Sequence, residues 1–102
     1  MSGSGFDAVI HPPARLQLMA MLVEVQEAEF AFLRGSIGVS DSVLSKHLSA
    51  LGEADYVKLR KANADGRVRT WVSATREGRR ALAAHVGALK QLAGLVDRLA
   101  AE

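Results

Sequence analysis

The chain has 102 residues, of which 13 are basic and 11 acidic, for a formal net charge of +2, and it contains no cysteine. One domain with one modest hydrophobic core is expected at this length, and 49% apolar with 24% charged residues is an ordinary globular composition. The lack of cysteine excludes disulfides, thiolate metal sites and cysteine nucleophiles. No apolar run approaches the roughly 20 residues of a membrane span.

Residues 1–5 are rich in glycine and serine and read as a flexible start without a signal-peptide pattern, so the domain is placed at 6–102 and the protein in the cytoplasm. The small net charge hides an asymmetry. Residues 58–80 hold eight basic residues (Lys58, Arg60, Lys61, Arg67, Arg69, Arg76, Arg79 and Arg80) against Asp65 and Glu77. Such a density marks either a polyanion-binding surface or a solvated basic face.

Phe6 to Ile10 reads as a short helical turn, and Pro12 and Pro13 suit the first turn of a helix running to about residue 24. Its expected buried face carries Leu16, Met19, Ala20 and Val23. Glu24 to Glu29 is polar and reads as a turn. Phe30, Leu33 and Ile37 then recur at helical spacing up to Gly38, which suits a left-handed helix end, while Ser40 is a good N-cap for the next helix.

The helix from Asp41 to about Glu53 divides into two faces at about 100° per residue. Val43, Leu44, His47, Leu48 and Leu51 share one side, whereas Ser42, Ser45, Lys46 and Ser49 share the other. Serine is a mediocre helix former, and most surface helices carry Glu, Lys or Arg pairs instead. Small hydroxyl side chains suit a helix that must fit closely into a groove.

Tyr56 to Lys61 and Arg67 to Ala74 alternate as half-exposed strands around the turn sequence Asn63-Ala64-Asp65-Gly66, which predicts a hairpin with a basic tip. Val57, Leu59, Val68, Thr70 and Val72 are expected inward. Thr75 caps a last helix over 76–101, with Leu82, Leu89 and Val96 in one heptad column and His85, Leu92 and Leu99 in the other. These six residues are the expected dimer seam.

The predicted fold is mainly α with a small β-hairpin wing: a winged helix-turn-helix with a long C-terminal dimerisation helix. The run Val39-Ser40-Asp41-Ser42-Val43-Leu44-Ser45-Lys46-His47-Leu48-Ser49-Ala50-Leu51, with Glu53-Ala54-Asp55-Tyr56-Val57 after it, resembles the recognition helix and following strand of MarR and ArsR type bacterial regulators. Arg69-Thr70-Trp71 and Thr75-Arg76-Glu77-Gly78-Arg79 resemble the end of their wing and the start of their dimer helix, and Ile10 to Leu16 is similar to their first helix. Gly52 and Asp55 depart from the family pattern, which often has a helix former and a glycine there, and Arg34 stands where a small residue is common.

The resemblance and the helical wheel together imply DNA contacts from Ser42, Ser45, Lys46 and Ser49, with Ser40 near a phosphate and Asp41 on a cytosine amino group or on the helix dipole. Lys61, Arg67 and Arg69 are the expected wing contacts. The implied function is a homodimeric, sequence-specific transcriptional regulator, by commoner expectation a repressor, on a pseudo-palindromic operator in double-stranded DNA. A winged-helix module that binds proteins is the alternative from another class, and an RNA-binding winged helix a third.

His47 reads as a packing histidine beside Val43 and Leu51. No two of His11, His47 and His85 share a helical face at three- or four-residue spacing, so no metal or cofactor is expected. Ser45 and His47 point to different sides of one helix and there is no glycine-rich phosphate loop, so no enzyme is expected either. Whether a small effector binds is left open.

Overall fold

A computed structural model describes residues 5–102, so the glycine- and serine-rich start lies outside the described residues except for Gly5, which rests against the Ala84 carbonyl. Helix α1 spans Pro13–Leu22, with proline at its first position where no amide hydrogen bond is forfeited. Its buried side chains are Leu18, Met19 and Leu22, while Ala20 is exposed. Of the expected face, Met19 is buried and Leu16 and Val23 pack against the core, so only Ala20 was misplaced, while Leu18 and Leu22 were not anticipated. A helix reading Leu-Gln-Leu-Met-Ala-Met-Leu is apolar on most sides, so packing rather than periodicity selects what it buries.

The next element is a two-residue strand, β1 (Ala28–Glu29), in the segment expected to be only a turn. Such a short strand exists only because a partner lies beside it: Ala28 pairs with Val72. Helix α2 (Phe30–Ile37) ends at Gly38 in the left-handed region with φ of 70°, and the chain turns directly into helix α3 (Asp41–Glu53). Ser40 caps α3, its Oγ accepting from the Val43 amide at 3.2 Å.

Helix α3 exits through a Schellman turn. The Tyr56 amide donates to the Leu51 carbonyl at 2.9 Å and the Asp55 amide to that of Gly52 at 3.0 Å. Asp55 takes the left-handed conformation with φ of 64°, which aspartate tolerates better than most residues. The absence of glycine there thus leaves the exit intact.

Strands β2 (Val57–Ala64) and β3 (Arg67–Ala74) form the hairpin, longer at the tip than expected because Asp65 and Gly66, both at positive φ, make a two-residue loop. The sheet order is β1-β3-β2. Only its root is core: Val57 and Val72 are buried, while Leu59 and Val68 are exposed on the wing, contrary to their expected inward placement.

Helix α4 spans Arg76–Ala101, about 39 Å at 1.5 Å per residue. Thr75 Oγ1 accepts from the Gly78 amide at 2.9 Å and donates to the Asp55 carbonyl, tying the start of α4 to the exit of α3. Ile10, Leu18, Met19, Leu22, Leu33, Leu44, Leu48, Leu51 and Leu82 complete a core under α3, and the second half of α4 projects beyond it.

Candidate nucleic-acid interface

Leu44, Leu48 and Leu51 anchor α3 in the core. Burial of that stripe forces Ser42, Ser45, Lys46 and Ser49 outward, and all four are exposed. The face is open, as the serine pattern requires. His47 lies on the flank, half-buried, with Nδ1 accepting from Arg15 Nε at 3.1 Å. Burial and then the Arg15 charge hold its pKa below the usual histidine range, so it is a neutral packing group at pH 7.

At the N-terminus of α3 the expected contacts are already engaged. Ser40 Oγ caps the helix and lies 3.2 Å from Ser42 Oγ. Asp41 Oδ1 accepts from Arg34 Nη1 at 2.6 Å, so Arg34 bridges the two helices of the motif at the surface rather than crowding the space between them.

The wing stands across an open groove from α3, bordered by Glu29, Asp41, Ser45, Ser49, Lys61 and Arg67 among others. Its three expected cations do not share a face. Lys61 pairs with Thr70, on the side of Val57 and Val72, whereas Arg67 and Arg69 lie opposite Ala64 and Ala62 on the other side with Trp71. Arg69 also has a partner: its Nη1 donates to both carboxylate oxygens of Glu29 at 3.2 Å. Among the described residues no ion pair holds Lys46, Lys61 or Arg67.

Sequence reading missed the acids that dress this surface. Glu27 accepts from Arg60 Nε and Nη2 at 2.9 and 2.7 Å, and the Arg60 guanidinium lies 5.9 Å from the Trp71 ring centre. The hydrogen bonds from Arg60 draw the Glu27 carboxyl below its usual range. No local signal announces a pair separated by 33 positions.

The expected dimer seam is split by the fold. Leu82 is 7% exposed and His85 fully buried inside this chain, because α1 and the segment before it cover the first half of α4. Leu89 is half-buried, and Leu92, Val96 and Leu99 are 49%, 55% and 63% exposed. Leu95, not anticipated, belongs with them at 44%. The free apolar stripe therefore occupies only the last three turns.

His85 is instead the centre of a polar cluster. Its Nδ1 accepts from the Asp7 amide at 2.9 Å, which places the ring proton on Nε2, 3.2 Å from His11 Nδ1. Asp7 Oδ2 accepts from the Tyr56 hydroxyl at 2.5 Å, and this bond, followed by burial, pushes the Tyr56 pKa up to about 12. The two histidines, distant in sequence, thus touch. Among the described residues no group of three or more His, Asp or Glu is placed to hold a metal ion, and no helix is long and apolar enough to cross a membrane.

A helix-turn-helix with an open second helix, flanked by a basic two-stranded wing, defines a winged helix-turn-helix protein. Residues 14–93 match the winged helix DNA-binding domain family, and the chain belongs to it. A transcriptional regulator homologue from Pyrococcus horikoshii OT3 superposes with a TM-score of 0.82 at 27% identity, over 87% of this chain and 88% of that one. An uncharacterized protein of Methanocaldococcus jannaschii is 28% identical over 89 residues, 87% of this chain and 97% of its own length. The MarR-type regulator ZitR of Lactococcus lactis, in a complex with DNA, shares the fold with a TM-score of 0.64 at 22% identity, over 95% of this chain and 65% of that one.

Proposed function

We propose that this protein is a homodimeric, sequence-specific transcriptional regulator of the cytoplasm that represses by occupying a pseudo-palindromic operator, acting by binding rather than catalysis. The observation that carries the reading is the exposed hydroxyl-and-lysine face of α3 beside the groove under the wing. Ser42, Ser45 and Ser49 are short enough to let the helix backbone approach base edges, and Lys46 reaches guanine or a phosphate. Lys61 and Arg67 neutralise phosphates on either side of the wing. Leu89, Leu92, Leu95, Val96 and Leu99 pair the two copies, holding two α3 helices about one helical turn of DNA (~34 Å) apart.

Selection of bound sequences from a random duplex pool tests the reading, followed by titration of the selected site against salt. A two-fold-related consensus and a steep salt slope are expected. Lys46→Ala should weaken binding at particular base positions, whereas Arg67→Ala should weaken it on every sequence and reduce the slope by about 1 for the phosphate it no longer neutralises. Salt-insensitive behaviour, or both variants binding like the parent, would overturn the assignment.

A further inference from the structure

We infer that Glu29 and Asp41 act as a pair of carboxylate gates on the recognition groove, withholding Arg69 and Arg34 from DNA until a correctly placed phosphate displaces them; this rests on the DNA-binding function proposed for the groove. Both residues border the groove between α3 and the wing. Each accepts from a guanidinium: Asp41 from Arg34 at 2.6 Å, and Glu29 from Arg69 at 3.2 Å on both oxygens. The groove therefore has two classes of cation, Lys61 and Arg67 outside any ion pair among the described residues and Arg69 neutralised by Glu29, while Arg34 is held by Asp41 beside it.

Magnitudes decide what these pairs are for. Ion pairs with this much solvent access contribute about 0–1 kcal/mol to stability, so the fold gains little from them. Their effect on an approaching polyanion is larger in consequence. Any duplex that enters the groove in a wrong register meets two carboxylates and finds two guanidiniums occupied. A phosphate set within reach of Arg34 or Arg69 can replace the carboxylate, because the planar guanidinium fork donates to either anion with the same geometry. Asp41, once released, is free to accept from a cytosine amino group. Discrimination thus comes from a cost imposed on wrong complexes as well as from contacts in the right one.

The third pair supplies an internal control. Glu27 and Arg60 share the sheet face of Trp71 with Glu29 and Arg69, but neither of them borders the groove. Neutralising Glu27 changes the net charge by as much as neutralising Glu29 or Asp41, without opening the gate.

The test compares Glu29→Gln, Asp41→Asn and Glu27→Gln with the parent, on a random-sequence duplex and on the pool-selected site, from ~50 to ~200 mM salt. Glu29→Gln and Asp41→Asn should each bind the random duplex several-fold more tightly at the low end. Their salt slope should be steeper by about 0.9 per freed cation, and the ratio of specific to random affinity should fall. Glu27→Gln should follow the parent on both counts. All three are substitutions in solvent-accessible or part-buried surface pairs, so thermal melts should stay close to the parent's and report that folding is intact. If the parent binds DNA and the two gate variants behave like Glu27→Gln, the gate is refuted while the DNA-binding function stands. If the parent shows no salt-dependent DNA binding, the DNA-binding function itself has failed.

Discussion

Gly78, buried near the start of α4, is where that helix meets the root of the wing. A Cβ added there would lie 2.2 Å from the Tyr56 carbonyl oxygen, 2.9 Å from its carbon and 2.9 Å from Met19 Cε. The methionine can swing aside. The carbonyl cannot, since it accepts from the Thr75 amide at 3.0 Å and belongs to the α3 exit turn that leads directly into β2. Gly78→Ala must therefore push α4 off β2 by about an ångström. Overpacking of this kind costs ~1–3 kcal/mol, the broken backbone bond ~1 kcal/mol and the disturbed Thr75 cap ~1 kcal/mol. The total, about 3–5 kcal/mol, is a large share of the ~5–15 kcal/mol that holds a typical domain, and corresponds to a fall in Tm of roughly 12–40 °C. Gly87, further along the same helix, has nothing within 4 Å of an added Cβ. Gly87→Ala should accordingly stabilise by up to ~1 kcal/mol through helix propensity alone. Urea unfolding followed by circular dichroism measures both. A Gly78→Ala unfolding free energy within ~0.5 kcal/mol of the parent's would refute the argument that this glycine is required by close backbone approach.

Leu92→Glu combined with Leu99→Glu should give monomers by light scattering with an unchanged fold, because both side chains point away from the domain core; an unchanged dimer mass would remove the proposed pairing surface. Tyr56 is protonated up to about pH 12 when folded but only to about pH 10 when unfolded, so its contribution is complete below pH 10 and lost as pH rises from 10 to 12. Tyr56→Phe should lower stability by ~1–2 kcal/mol at neutral pH and flatten that alkaline loss, as read from melts at several pH values. His47 has the opposite sense: its folded pKa lies below 6.5, so its contribution is present above pH 6.5 and is lost as pH falls through the folded value. His47→Gln should make stability less steeply dependent on pH on the acid side, and equal slopes for both proteins would contradict the assignment.

The helix-turn-helix was legible residue by residue because its signals act over one turn of chain. Gly38 ends α2 and Ser40 starts α3 through bonds to groups within four positions, and Asp65-Gly66 closes the wing in the same way. The exposed serine face followed from the leucine stripe opposite it, since fixing three buried positions on a helix fixes the rest. The wing was half legible. Alternation already separates Lys61 from Arg67 and Arg69, but only the register of the hairpin shows which residue faces which.

Local chemistry in the sequence thus determined where each main helix and strand lies, apart from the short β1, and which side of α3 stays open. The tertiary structure decided which members of the heptad columns on α4 are spent on this chain's own core, which side of the apolar α1 is buried, and that His11, Asp7 and Tyr56 gather at His85. It also placed Glu29 and Asp41 on Arg69 and Arg34. The physical reason is range. Caps, turns and periodicity are settled by neighbours a few residues away, whereas burial and ion pairing belong to surfaces that meet only when the chain has closed on itself.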